Sequence, residues 1–461
     1  MTQSTETLAH DYARDLMSVV KASPSSYHAA AHVRDRLAGQ GFQILDEAQT
    51  WDLVPGGRYV VVRDGAVMAF VLPKTVAGNV AKNTGGVGAE GGSGASAGGA
   101  GEVGEVGAAP VFRVIGAHTD SPAFKLAPKS DFTNAGAAQV GVEIYGGPLL
   151  NSWLDRELVF AGRLALRDGT TALASTGPVG RIPQLAIHLD RGVNDGLKLD
   201  KQRHTQPVVG LEPVELEKLL AQSAGVDPED VLGHDVYTCA AQEPALFGAH
   251  NEFLASPRLD NLVSVHAGMC AIEKLTDPTD IVMLAAFDHE EVGSGTRSGA
   301  CGPMLAQVTE RIVYGMASAW GYQGEEHDTY MRSLAGSVCV SSDTGHAVHP
   351  NYPEHHDPRI TPLLGRGPLL KLNAQQRYAS DAVGTAVWAK ACEDAGVAYQ
   401  DFVSNNNMPC GSTIGPLTAT RLGMTTVDVG AALWSMHSAR EMIAVSDIAD
   451  MVAVLSAFVR G

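Results

Sequence analysis

Four apolar runs, each opening into polar residues, punctuate this sequence: VFRVIGAHTD at 111–120, DIVMLAAFDHEEVGSG at 280–295, SVCVSSDTGHAVHP at 337–350 and MTTVDVGAALWSMH at 424–437. Successive side chains of a strand point to opposite faces of its sheet, so a strand that is apolar throughout must be buried on both. Helix-patterned stretches such as SVHAGMCAIEKL and SDAVGTAVWAKACEDAG separate the runs. The pattern predicts an α/β fold, a mainly parallel sheet with helices on both faces. In such sheets ligands sit at the carboxyl ends of the strands, which is where the polar residues fall.

Two helices are expected between Leu8 and Leu37, separated at Ser23-Pro24-Ser25, and then a hairpin turning at Asp64-Gly65. Residues 77–110 are nearly all Gly, Ala, Ser, Val and Glu, and are read as a mobile surface loop with too little side chain to bury. They lack the G-x-x-x-x-G-K-[ST] pattern of a phosphate cradle. Between 124 and 247 alternating segments dominate, among them QVGVEIYGG, ELVFAGRLALRDG and QLAIHLDRG, and predict a β-rich insertion. Residues 1–123 and 248–461 then form one discontinuous α/β domain around it.

Asp and Glu number 51 against 33 Lys and Arg, a formal charge of -18 that argues against nucleic acid and anionic membranes as partners. The same charge repels acidic ligands at long range, so a pocket selective for them must be cationic locally. The six cysteines are scattered without a C-x-x-C pair and read as small buried hydrophobes. The first twenty residues lack the apolar core of a signal peptide and no later run is long enough to span a bilayer, so a cytoplasmic location is expected.

The polar tips carry the chemistry. His118 and Asp120 lie two apart, so Asp120 can fix the ring of a ligating His118, although the pair could equally cap a turn. Asp260, in SPRLDNLVS, reads either as a helix cap or as a carboxylate bridging two cations. Adjacent Glu290 and Glu291 crowd two negative charges, which is costly unless cations are near. A metal-bound glutamate beside a free general base would resolve that. Asp343 ends a third run, and His437 the fourth, where a lone histidine is more often a hydrogen-bonded core residue. Together these tips supply two imidazoles and three carboxylates, a set suited to two Zn²⁺, Mn²⁺ or Co²⁺ ions.

In content and order the motifs GAHTDSP, RLDN, DHEEVGSG, SDTGHAVHPNY and SMHSARE resemble those of the aspartyl aminopeptidases, a family of co-catalytic zinc exopeptidases. LNSWLDREL, GPLLKLNAQQRYASD and MPCGSTIGP extend the resemblance over nearly the whole chain. It implies two metal ions per subunit, most simply zinc, with His118, Asp260 and Glu291 on one, Asp260, Asp343 and His437 on the other, and Asp260 bridging. It further implies Glu290 as general base, Asp120 orienting His118, and His346, Lys371 and Tyr378 contacting substrate. Lys371 would pair with the side-chain carboxylate of an N-terminal acidic residue. The insertion would be a dimerisation domain presenting His188 to a neighbouring subunit's site, within a dodecamer built from dimers. Thr344-Gly345 and the 77–110 stretch depart from the family's usual pattern. Ligands alone do not set substrate class, so a broad-specificity aminopeptidase, an N-acyl amino-acid deacylase and a catalytically idle assembly protein are the rival readings.

Overall fold

The computed structural model describes residues 3–75, 109–321 and 325–461, and the loop expected at 77–110 lies, but for its last two residues, outside them. The principal sheet has nine strands, in the order Gln43–Leu45, Arg58–Arg63, Ala66–Val71, Ile281–Phe287, Phe112–His118, Val338–Ser342, Thr425–Gly430, Leu369–Lys371 and Gln400–Phe402. The middle strands, from Ile281–Phe287 to Thr425–Gly430, are mutually parallel, and each comes from one of the apolar runs. Antiparallel pairs flank them, Ala66–Val71 against Ile281–Phe287 on one side and Leu369–Lys371 against Thr425–Gly430 on the other.

Two-sided burial explains why the runs are uninterrupted. Phe112 and Val114 enter one core, whereas Ile115 and Ala117 enter the other; Met283, Ala285 and Phe287 alternate in the same way with Val282, Leu284 and Ala286. One face is covered by helices Gln3–Ala22, Ser26–Gly39, Leu259–Glu273, Ala382–Ala395 and Val445–Phe458, which contribute Leu16, Val33, Leu262, Trp388 and Leu455. Helices Met304–Met316, Glu326–Gly336 and Ile414–Leu422 cover the other with Ile312, Leu334 and Ile414. A fully buried side chain of this kind contributes roughly 1.5–3 kcal/mol, so the sheet is a platform stiff enough to hold crowded charge at its edge.

The punctuation residues act where the chain must turn. Ser25 caps the second helix by accepting from the His28 N–H, which places the break at Ser23-Pro24-Ser25. The hairpin turns through Asp64, at φ 55, and Gly65, where a Cβ would collide with the Asp288 carboxylate.

A second, seven-stranded sheet is built from residues 123–240, and all of its ladders are antiparallel. Val231–Ala240 pairs with both Ala123–Asn134 and Glu157–Leu166, so the sheet closes on itself around Phe124, Val140, Leu158, Phe160 and Val236. QLAIHLDRG is an exception to the strand reading. Residues 184–192 form loop and turns without a ladder, and Leu185, Ile187 and Leu189 are 62%, 50% and 74% exposed. The alternation is present, but no surface among the described residues covers its apolar face, and an uncovered strand has nothing to fix its register. No helix among the described residues is long and apolar enough to cross a membrane.

Gly430, at the end of Thr425–Gly430, lies so close to the neighbouring tip that a Cβ there would stand 1.6 Å from the Asp343 carbonyl oxygen. Gly430→Ala should therefore destabilise the fold by about 1–3 kcal/mol through forced backbone displacement. A urea midpoint equal to that of the parent protein would contradict this packing.

Candidate metal centre

The parallel strand tips converge on one cluster. His118 ends its strand 1% exposed, with Nε2 3.3 Å from Asp260 Oδ1, 3.4 Å from Asp343 Oδ1 and 4.0 Å from Glu290 Oε2. On the other side of Asp260, His437 Nε2 lies 3.5 Å from Asp260 Oδ2 and 3.5 Å from Glu291 Oε2. Ligand-sized groups are formed by His118, Asp260 and Asp343, by Asp260, Glu291 and His437, and by His118, Glu290 and Glu291. The five residues expected as ligands thus come together with Asp260 common to both sides. Asp343 groups with His118 and Asp260 where the resemblance implied His437, while Glu291 groups with His437 and also with His118. Val338–Ser342 and Ile281–Phe287 flank Phe112–His118 as parallel neighbours, so the tips that lead to Asp343 and Glu291 both lie beside His118.

Asp260 does not cap its helix. The helix Leu259–Glu273 carries non-helical geometry at Asp260 (φ -79, ψ 104) and Asn261, which turns the carboxylate toward the two histidines. Its Oδ1, and Oε1 of Glu291, are buried without a hydrogen-bond partner. Buried polar atoms are normally satisfied, so these orphaned oxygens, beside two imidazoles and a further carboxylate, fit divalent cations of zinc's type.

Asp120, expected to orient His118, holds the cluster together with Tyr145, Glu441 and Gly147, which the sequence reading did not single out. Asp120 accepts from the backbone N–H groups of Glu290 at 3.0 Å and Glu291 at 3.1 Å, and its Oδ1 stands 3.3 Å from Nδ1 of His118. Tyr145, from the second sheet, donates to Asp120 at 2.8 Å. Glu441 accepts from the backbone N–H groups of Asp260 at 3.0 Å and His437 at 2.7 Å. The Gly147 carbonyl lies 3.1 Å from Nδ1 of His437, so the second sheet touches both halves of the site.

Charge crowding governs protonation here. Burial would push Asp260 up, but its contacts with His118 and His437 hold it well below the usual carboxylate range. Burial, then the charges of Asp343 and Asp120, outweigh His118 and push Glu290 up to about 8. Glu291 is raised by burial and by Asp260. Burial and Asp260 likewise lift Glu441 to about 8. Against its burial, His437 is raised to about 10 by Asp260 and Glu291.

Glu290 faces an open cleft of about 1120 Å³, whose lining includes Glu291, Asp343, His346, Lys371, Tyr378 and His437. A second, much narrower cavity borders Asp120 and is lined by Tyr145, Trp153 and Tyr237; it does not include Glu290. The expected substrate contacts are therefore in the open cleft. Lys371 is only 2% exposed, donating to Thr344 O at 2.7 Å and Asp343 Oδ2 at 3.3 Å, with Nζ 5.4 Å from the Tyr378 ring centroid. His346 is exposed and packs edge-on against Phe402 at 4.9 Å. His188 is exposed within the 184–192 turns, among neither cavity's lining residues.

The sequence profile described as aminopeptidase I zinc metalloprotease (M18) matches residues 19–85 and 102–459. A Streptomyces avermitilis protein described as a probable M18 family aminopeptidase 2 is 48% identical over 457 residues, with 97% of each chain covered. Among solved structures, a chain of the cryo-EM structure of the Ape4 and Nbr1 complex superposes with a TM-score of 0.87 at 32% identity, covering 100% of this chain and 87% of that one. The S. cerevisiae mApe1 dodecamer gives a TM-score of 0.78 at 27% identity, covering 97% and 96%.

Glu290 and Glu441, lifted to about 8, and His437, lifted from 6.5 to about 10, all bind protons more tightly folded than unfolded. Stability from such groups is lost as pH rises, and the windows overlap from the histidine's ordinary value of 6.5 up to about 8. Metal-stripped protein should therefore melt progressively lower across that window, and zinc loading should raise the Tm and flatten the profile. A stripped-protein Tm that held steady or rose would refute the assignment.

Proposed function

Because the chain belongs to the M18 family of zinc aminopeptidases, we propose that it releases N-terminal acidic residues from peptides using two metal ions and Glu290 as general base. The observation that carries this reading is Glu290 opening onto the cleft beside orphaned carboxylate oxygens of Asp260 and Glu291. His118, Asp260 and Asp343 would hold one ion and Asp260, Glu291 and His437 the other, most simply zinc, with manganese or cobalt as substitutes. Bound there, the ions would supply Lewis acidity for the scissile carbonyl and for a water molecule.

The chain's own residues do the rest. Glu290 accepts a proton from the attacking water, the C–O bond forms, and the same carboxyl returns the proton to the amine nitrogen as the C–N bond breaks. Asp120 holds Glu290 and Glu291 by their backbone N–H groups and keeps the His118 ring oriented. Among the residues lining the cleft, Lys371 is the sole ammonium or guanidinium group. Two of its N–H donors serve Asp343 and Thr344, leaving one for the side-chain carboxylate of the substrate, with His346 and Tyr378 flanking it. That local cation answers the repulsion an acidic substrate would meet from the chain's net charge.

The exposed Leu185, Ile187 and Leu189 support an apolar contact with a second copy, and the likeness to a dodecamer supports a closed assembly. Accordingly, residues 124–247 form a dimerisation domain inserted between 1–123 and 248–461, dimers build a dodecamer, and His188 completes the partner's site. The six cysteines are all unpaired, in keeping with a cytoplasmic enzyme.

Zinc-loaded protein assayed on Asp-, Glu-, Leu- and Lys-terminated peptides should prefer Asp or Glu, and Lys371→Met should erase that preference. A parent protein favouring Leu or Lys would sink the acidic reading. Glu290→Gln should keep its zinc while kcat drops by about 10²–10⁴; undiminished turnover would remove Glu290 as base. Mixing His188→Ala with Glu290→Gln protomers should restore part of the activity, because each mixed pair rebuilds one complete site. Failure to complement would count against sharing.

A further inference from the structure

The residues that touch a bridging carboxylate from behind decide whether it stays in place. Asp260 departs from helical geometry inside its own helix, and His437 sits at φ 64, a left-handed conformation uncommon for a side-chain-bearing residue. Neither backbone N–H therefore belongs to a regular ladder. Both are satisfied by one side chain, since Glu441 Oε2 accepts from Asp260 at 3.0 Å and Oε1 accepts from His437 at 2.7 Å. Glu441 is 2% exposed and opens the strand Glu441–Ala444, where it pairs in register with Ser256, four residues before Asp260. Among the described residues no Lys or Arg forms an ion pair with it.

From this geometry we infer that Glu441 is a positioning residue of the metal centre, setting the separation between Asp260 and His437 and so the span of the ion they share. The inference rests on the two-metal reading above. A carboxylate is suited to the task because both oxygens accept. Glutamine at this position offers one acceptor and one NH₂, so either Asp260 or His437 would lose its partner and meet a donor facing a donor. Aspartate keeps the charge but is one methylene too short to span both. Asp120 relates to Glu290 and Glu291 through the same two-oxygen geometry, so the pair of clamps holds four residues of the site by their backbone alone.

The test uses the full-length assembled protein and zinc alone as the probe, with parent, Glu441→Gln and Glu441→Asp measured side by side. Zinc retention is titrated against a chelator of known affinity, the Tm of the stripped form is recorded, and kcat and KM are read in excess zinc. Glu441→Gln should retain zinc about 10- to 100-fold less tightly, with kcat lowered, KM little changed and the stripped protein still assembled. Glu441→Asp should fall between it and the parent. If the parent holds zinc and both variants hold it equally well, the inference is overturned while the metal centre stands. If the parent itself holds none, the two-metal reading fails first. Loss of folded protein in both variants would assign Glu441 to the fold rather than to the metal, which also overturns it.

Discussion

Negative charge gathered at the ends of parallel strands is the constraint to which the rest of this molecule answers. His118, Asp343 and Glu290 arrive there because their strands are adjacent and point the same way, and Asp260 enters from a helix distorted to meet them. Such a cluster is costly without cations, since burial and mutual repulsion force protons onto Glu290 and Glu291. The fold tolerates it because both faces of the sheet behind it are packed with apolar side chains. Apolar burial in the body of the sheet thus supports crowded charge at its rim.

The second sheet is part of the same arrangement. Its Tyr145 donates to Asp120, and the adjoining Gly146, at φ 69, would place a Cβ 3.1 Å from that of Glu291. Gly147 then offers its carbonyl to His437. A short turn of the antiparallel sheet thus reaches residues on both sides of Asp260, which a surface appendage would not do. Gly146 is required twice there, once for its dihedral and once for its lack of a side chain.

Much of this is legible in the sequence. The apolar runs predicted buried strands because two-sided burial leaves no room for alternation, and their polar ends predicted a site because sheets of this kind bind at that edge. The candidate ligand residues stand out because imidazoles and carboxylates recur at successive polar tips, and because the motifs that carry them resemble one family's. The pairing of Asp343 with His118 was not legible, since strand order across a sheet is a tertiary property that no local pattern encodes. QLAIHLDRG misled because alternation records which side chains want burial, and the surface that would bury them is not in this chain's described residues. Tyr145 and Glu441 were missed for a further reason: each touches another residue's backbone or carboxylate, and Glu441 reaches Asp260 from a distant part of the chain. Glu441 stood inside the quoted SMHSARE, and the one signal available was an acid left without an assigned role.

The separation of the site's parts along the chain bears on how the enzyme is made. His118 belongs to the first third of the sequence, whereas His437 and Glu441 emerge just ahead of the last helix, Val445–Phe458. During synthesis His118 is present long before His437 and Glu441, the residues that lie against Asp260 from the end of the chain. Bringing such distant segments together is slow, because closing the long loop between them costs entropy before the contacts form. A truncation ahead of His437 would remove that imidazole and Glu441 from the cluster, and with them the helix Val445–Phe458, whose Ile448, Met451 and Leu455 are part of the core.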